Sequence, residues 1–382
     1  RPPRSTPSNS SAASDVYKRQ PYGDPTKYDL SPLIEFNGKD IRVNTRLINT
    51  IGLRRYKEKG LGFYFSPKLV DWLGPRRTDD DADEPYVHYA ASMQEIFEKI
   101  SLKLLDYYLG DILRETGKLC FAGGSALNVK LNQRIIALPY VKELFVQPAA
   151  SDAGTAIGAA SYAASRAGVE IEKLRHVYLG PAYTTDQCVS ACKRHPENPR
   201  WQIIDNAPKR GAKIIADGNP LAWFQGRMEF GPRALGCRSI LGCPSIKGMA
   251  DRINKQIKYR ERWRPFCPSI LDKVAEDILQ TSHPAPYMTF TFHVAPHWRP
   301  RIPEVVHIDG TSRAQVVERE TNPRYYALIE ELEKLTGNAV VLNTSLNRRG
   351  EPIVCSPDDA LNMFFGCDLQ YLIMEDVLVT KK

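Results

Sequence analysis

The stretch KLCFAGGSALNVKLNQRII at residues 118–136 decides the fold class. A short apolar run from Leu119 to Phe121 closes on Gly123 and Gly124, and a helical pattern resumes at Ser125. Glycines at such a point let the backbone turn sharply, so the stretch reads as strand, turn and helix. The same logic repeats in LFVQPAASDAGTAIGAASYAA at 144–164: a strand to Gln147, a Pro-Ala-Ala-Ser turn, and an alanine-rich helix opened by Asp152. Strands alternating with helices predict an α/β domain with a mixed or parallel sheet.

Working outward, residues 85–117 carry the longest helical pattern. Pro85 stands near its start, Met93, Phe97, Ile100, Leu104 and Tyr108 repeat along it, and Gly117 follows its end. Gly180-Pro181 breaks the pattern and predicts a domain junction. The expected organisation is a leader at 1–20, a first domain at 21–178 and a second at 179–382. In the second domain a helix is followed by a strand at 221–225. Residues 247–262 suit a helix with Met249, Ile253 and Ile257 on one face, stopped by Pro265. A strand at 338–342 leads to a polar turn at 343–352. Ser356-Pro357-Asp358-Asp359 supplies a cap, a first-turn proline and two acids for a further helix, and 369–374 is the last strand.

Composition bounds the rest. The chain has 382 residues, 42% hydrophobic and 25% charged, the profile of a globular protein rather than a fibre or a disordered tail. No run approaches the roughly 18 apolar residues of a spanning helix. Eight cysteines are scattered without a CxxC pair, which fits a reduced, cytoplasmic setting. Residues 1–20 are rich in Pro and Ser, and SSAASDVYKRQ reads as a translated cloning adaptor. The expectation is therefore that the natural protein begins further upstream.

Charge points to chemistry. The net charge is +8, and ten basic against three acidic residues place +7 of it within 225–264. Such a patch suits an anionic partner, either a phosphorylated small molecule or nucleic acid. The segment GRMEFGPRALGCRSI at 226–240 sets three arginines among three glycines, which permits close backbone approach and two-point guanidinium contacts to phosphate oxygens. In KYRERWRPF at 258–266, Lys258 and Arg262 fall at i, i+4 on one helical face, where an anion or Glu261 would offset their repulsion. Trp263, Pro265 and Phe266 imply that this region folds inward. Arg313 follows a glycine turn, and Asn343, Ser345 and Asn347 follow a strand's C-terminal edge, a common place for ligands. Arg, Lys, Ser and Asn without a nucleophile–base pair suit electrostatic stabilisation of a phosphate-bearing substrate.

Elsewhere the signals are weaker. The turn at 121–128 can cradle phosphate on backbone N–H groups, although it lacks the Gly-Lys-Ser/Thr ending of a P-loop. Asp152 reads either as a helix cap or as a functional carboxylate. His293 and His297 flank Pro296, which argues against a zinc pair on a helix. His88 reads as a satisfied structural residue, and Cys188 and Cys192 as packing cysteines.

The strings AGGSALN, QPAASDAG, GRMEFGPRALGCRSI, KYRERWRPFCPSIL, HIDGTSR and NTSLNRRGEPIV, in this order, resemble the nodulation and antibiotic O-carbamoyltransferases (NodU/CmcH type) over residues 21–382. The resemblance implies the C-terminal half of an actin/Hsp70-like (ASKHA) domain followed by a YrdC-like α/β domain. It implies an ATP-dependent O-carbamoyltransferase that forms carbamoyl-adenylate and pyrophosphate from carbamoyl phosphate and ATP, then transfers the carbamoyl group to a hydroxyl of a sugar-like or antibiotic acceptor. By motif matching, Arg233, Lys258, Arg264, Arg313 and Ser345 would hold carbamoyl phosphate and the adenylating phosphates, supported by Arg238, Asn343 and Asn347. Gly123, Gly124 and Asn128 would serve the nucleotide, with Mg2+ accompanying ATP. Asp152 matches an aspartate that, with a histidine pair, holds an Fe2+-type divalent metal. That pair belongs to the family's upstream half-domain, so the expectation is an intact adenylation site beside an incomplete transfer site.

Other classes compete. An RNA-binding or tRNA-modification module would fit the +7 patch and a YrdC-like domain, but aromatic residues are not interleaved through the patch as a stacking platform requires. A plain actin-like ATPase or sugar kinase would release phosphate without carbamoyl phosphate. An inactive carbamoyltransferase fragment is the third alternative.

Overall fold

The computed structural model describes residues 20–48, 66–75, 83–259 and 264–381. Nearly all of the expected leader, together with Glu261, Arg262 and Trp263, lies outside the described residues. The chain packs as two compact units: residues up to 121 with 130–145, and 122–129 with 146–382.

In the first unit, β1 (Ile34–Phe36) and β2 (Ile41–Val43) form an antiparallel hairpin. A short helix Pro67–Leu73 is capped by the Ser66 hydroxyl, which accepts from the Leu69 N–H. The long helix runs Tyr86–Thr116 and ends where Gly117 turns left-handed at φ 69°, as Pro85 and Gly117 predict. β3 (Lys118–Phe121) pairs with β4 (Glu143–Val146). Leu30, Leu33 and Leu69 form the buried core of this unit's first half. His88 is buried and satisfied: its Nδ1 accepts from the Asp24 N–H at 2.8 Å, and Nε2 lies 2.6 Å from a Glu84 oxygen.

The second unit carries an eight-stranded mixed sheet. Its strands are β5 (Arg200–Ile203), β6 (Leu221–Phe224), β7 (Arg238–Gly242), β8 (Cys267–Leu271), β11 (Gln315–Val317), β12 (Val340–Ser345), β13 (Tyr371–Met374) and β14 (Val377–Thr380), while β9 (Phe292–His293) and β10 (Thr311–Ser312) make a separate ribbon. The order across the large sheet is β11-β8-β12-β7-β6-β13-β14-β5. Every residue of β6, β7 and β8 is buried, as expected of strands covered on both faces. On one face the helices Ala207–Ala216 and Pro323–Thr336 lie against Trp223, Leu241, Val341 and Ile373. Each such side chain contributes roughly 1.5–3 kcal/mol when fully buried. Gly211 permits this approach, because a Cβ there would lie 3.1 Å from both Leu221 and Leu328.

Three local expectations are corrected. The strand expected at 338–342 extends through Ser345, so Asn343 and Ser345 are sheet residues rather than turn residues; ladder bonds to β7 and β8 override the polar composition. The helix expected over 247–262 is α-helical only at Met249–Ile253, continues as a π turn at Asn254–Lys258, and ends at Tyr259 with φ 45°. Arg262, the other member of the predicted Lys258–Arg262 face, lies outside the described residues. β14 was not anticipated; it follows β13 through a tight turn in which Glu375 takes φ 50°. The compact unit also continues across Gly180-Pro181, where the Gly180 N–H donates to the Met228 carbonyl and the Met228 N–H to the Pro181 carbonyl, each at 2.9 Å.

Candidate functional site

Strand direction brings the predicted residues to one end of the sheet. β11 is parallel to β8, β8 and β7 both run antiparallel to β12, and β6, antiparallel to β7, is parallel to β13. The N-terminal ends of β7, β8 and β11 therefore share an edge with the C-terminal ends of β6, β12 and β13. Arg313 precedes β11, Arg264 precedes β8, Ser345 ends β12, Arg238 opens β7 and Arg233 lies in the loop before it. Arg233, Arg264 and Arg313 are half-buried there, and the Arg313 Nε donates to the Cys267 Sγ at 3.2 Å.

Lys258 reaches the same end from the π turn, whose extra residue per turn rotates the chain after Ile253. The side chain is 4% exposed. Its Nζ donates to the Ser345 carbonyl at 2.5 Å, the Ser345 hydroxyl at 3.2 Å, the Asn347 carbonyl at 3.0 Å and the Asn347 Oδ1 at 2.7 Å. The Ser345 hydroxyl also donates to Asn347 Oδ1 at 2.6 Å, and the Asn347 Nδ2 donates to the Glu351 carbonyl at 2.6 Å. Lys258, Ser345 and Asn347 thus form one bonded cluster. Glu351 is fastened in turn by Arg348, whose hydrogen bonds hold the Glu351 carboxyl below its ordinary range.

Arg238 takes a different position from the other cations. It is fully buried, stacks 3.6 Å over the Phe224 ring, and donates through Nη1 to the carbonyls of Gln225, Gly226 and Cys237 and through Nη2 to that of Pro181. Burial lowers its pKa and the nearby Glu229 charge opposes the shift, so the guanidinium remains a cation. Arg238 ties the strand ends together. Asn343 lies beneath the arginine loop: its Nδ2 donates to the Ala234 carbonyl and the Ser269 hydroxyl, both at 3.1 Å.

Sequence reading missed Glu229. This buried carboxylate accepts through Oε1 from the N–H groups of Leu235 at 2.7 Å, Cys237 at 2.6 Å and Arg238 at 3.2 Å. Its available signal was a lone acid inside the arginine–glycine segment. Gly236 is required in the same loop, because at φ 101° a Cβ would lie 2.2 Å from the buried Tyr325 ring.

The glycine turn lies in the same unit. Gly123 has φ 98°, its N–H donates to the Ala150 carbonyl at 2.7 Å, and a Cβ there would meet nothing within 4 Å. Gly124 opens a short 3₁₀ turn, and Asn128 is buried at its end. The neighbouring 147–151 turn touches the arginine loop, since a Cβ on Gly231 would lie 3.4 Å from the Pro148 carbonyl oxygen. Asp152 is exposed at the start of another 3₁₀ turn. Among the described residues no group of three His, Cys, Asp or Glu side chains is placed to hold a metal ion. Asp152 by itself does not make a metal site. No helix among the described residues is long and apolar enough to cross a membrane.

The family model "Carbamoyltransferase N-terminus" matches residues 39–161, and "Carbamoyltransferase C-terminus" matches 212–381. An uncharacterised protein of Synechocystis is 35% identical over 94% of this chain and 62% of its own length. Nodulation protein NolNO of Sinorhizobium fredii is 36% identical over 95% of this chain and 52% of its own, and nodulation protein NolO of Bradyrhizobium diazoefficiens is 35% identical over 95% and 64%. The chain thus spans between about half and two thirds of the length of these relatives. The crystal structure of T. kodakarensis HypF aligns at 14% identity and a TM-score of 0.28 over 45% of this chain and 24% of that one, too little to bear on the fold. The two adjoining family matches and the relatives agree: this chain belongs to the carbamoyltransferase family.

Proposed function

We propose that this chain supports ATP-dependent O-carbamoyl transfer, with carbamoyl phosphate and MgATP converted to carbamoyl-adenylate at the end of the large sheet. In this reading residues 21–178 belong to an actin/Hsp70-like domain and residues 179–382 form a YrdC-like one. The observation that carries it is the convergence of Arg233, Lys258, Arg264, Arg313 and Ser345 on one sheet end. Carbamoyl phosphate and the ATP phosphates bring several negative charges together, and cations fixed before the reaction offset their repulsion without reorganising. Arg233, Arg264 and Arg313 supply planar two-point donors. Lys258 shares three N–H donors among four acceptors, so a ligand oxygen reaching Nζ replaces one of those acceptors.

When the adenylate forms, a carbamoyl oxygen bonds to the α-phosphorus of ATP and pyrophosphate leaves with the cleaved P–O electron pair. By balance, the phosphate of carbamoyl phosphate is released on consumption of one water. The second step joins an acceptor hydroxyl oxygen to the carbamoyl carbon and releases AMP. A sugar-like or other hydroxylated small molecule is the proposed acceptor, and a cytoplasmic setting is proposed from the eight free cysteines.

The test is carbamoyl-phosphate-dependent exchange of labelled pyrophosphate into ATP. Arg264→Ala should cut the exchange by about a hundredfold or more, the scale of one lost transition-state donor. Unchanged exchange in that variant refutes the site, and phosphate release from ATP without carbamoyl phosphate would favour the ATPase reading.

A further inference from the structure

We propose that Glu229 is a positioning residue for Arg233 and thereby sets the affinity for the phosphate of carbamoyl phosphate; this rests on the reading of the site given above. Glu229 is 5% exposed, and its Oε1 gathers three main-chain donors, from Leu235, Cys237 and Arg238. This bends residues 229–238 back on themselves, with Gly231 at φ 122° and Gly236 at φ 101° taking the conformations that side chains resist. The other side of the loop is pinned as well. The Ala234 carbonyl accepts from the Asn343 Nδ2 at 3.1 Å, and the Leu235 carbonyl accepts from the Tyr178 hydroxyl at 3.0 Å and the Gln315 Nε2 at 2.9 Å. Arg233 leaves the loop one residue before this doubly held segment, so its backbone position follows from the clamp.

A second observation separates this role from ordinary folding. The other oxygen of the carboxylate, Oε2, is buried and accepts no hydrogen bond. An unpaired carboxylate oxygen in the interior costs stability. Local rules are broken in this way where a site requires it. The carboxylate also accepts its three N–H bonds more strongly than an amide oxygen could.

The experiment is a double-mutant cycle on the full chain, using E229Q, R233A and both together, with the KM for carbamoyl phosphate read from pyrophosphate exchange. E229Q keeps an acceptor at the clamp but removes its charge. The expected result is a KM about tenfold higher in the wild-type background and changed by less than twofold when Arg233 is already alanine, because the effect passes through that side chain. An equal factor in both backgrounds, the mark of a general loss of structure, overturns the proposal. If R233A raises KM while E229Q does not, this inference alone fails and the site reading stands. If R233A itself leaves KM unchanged, the site reading fails and takes the inference with it. Should E229Q not fold, E229D enters the same cycle with the same expected and refuting outcomes.

Discussion

Replacing Lys258 by Met removes one ammonium while keeping most of the stem's volume. The Asn347 carbonyl loses its donor, at about 1–3 kcal/mol, while the Ser345 carbonyl keeps the Asn347 N–H at 3.1 Å and loses less. Asn347 Oδ1 keeps the Ser345 hydroxyl as a donor and adds little to the loss. Against this, the variant no longer buries a charge, which recovers part of the cost. The net expectation is a loss of about 2 kcal/mol. In a unit of this size each kcal/mol lowers the unfolding midpoint by roughly 2–4 °C, so calorimetry should show a fall of about 4–8 °C. Exchange activity should fall by a factor of about 100–1,000, the scale of one lost electrostatic donor. The two readouts are separable: a K258M protein held well below its midpoint should be folded and still inactive. A midpoint within 1 °C of wild type would show that Lys258 does not hold the Ser345–Asn347 segment, and wild-type exchange would remove it from the site.

Gly236→Ala should cost about 4 kcal/mol or more, because left-handed strain adds to a clash with the buried Tyr325 ring, whereas Gly248→Ala, with open space around it, should cost only about 1–2 kcal/mol; equal urea midpoints for the two variants would refute the packing argument. Hydrogen bonding from Arg348 lowers the Glu351 pKa in the folded protein, so the stability it contributes is present above the ordinary value of 4.5 and is lost as pH falls through the lower folded value. The urea midpoint of wild type should therefore approach that of Glu351→Gln on acidification from pH 5 to pH 3, and a constant gap would refute the linkage. Burial pushes the Cys188 thiol up to about 12 and the Cys192 thiol to about 11, while Cys120 is exposed. Iodoacetamide at pH 8 should modify Cys120 in the native protein and reach the other two only after unfolding, as peptide mass analysis would show.

The parts of the fold that local chemistry dictates were legible in the sequence. Ser356 and Asp359 form the reciprocal cap that their spacing predicts, each bonding the other's N–H. Pro85 and Gly117 bracket the long helix, and LAWF at 221–224 is a buried strand. What was not legible depends on tertiary contacts. Met249, Ile253 and Ile257 repeat every four residues whether or not a π turn follows, yet that turn is what aims Lys258 inward. Asn343-Thr-Ser345 reads as a turn by composition and becomes strand because β7 pairs with all three residues and β8 with Asn343. The clustering of cations was visible as a charge excess. That they share one sheet end depends on strand order and direction, which no single segment encodes.

That distribution explains how the molecule can hold so many positive charges together. Arg238 is held by four carbonyl dipoles and an aromatic face, with Glu229 opposing the effect of burial. Glu375 is half-buried at the adjoining turn, where it accepts from the Gly226 N–H at 2.6 Å; burial raises its pKa and that bond opposes the rise. Glu229 Oε2, Arg238 Nε and Asn343 Oδ1 are among the buried polar atoms at this end that make no hydrogen bond. Each such atom costs free energy that an apolar strand end would not. The opposite requirement comes from the proposed reaction, which would need donors fixed in place before the phosphates arrive. The helix-covered apolar faces, from Trp223 through Tyr325 to Ile373, supply the stability that allows one end of the same sheet to remain polar and electrostatically loaded.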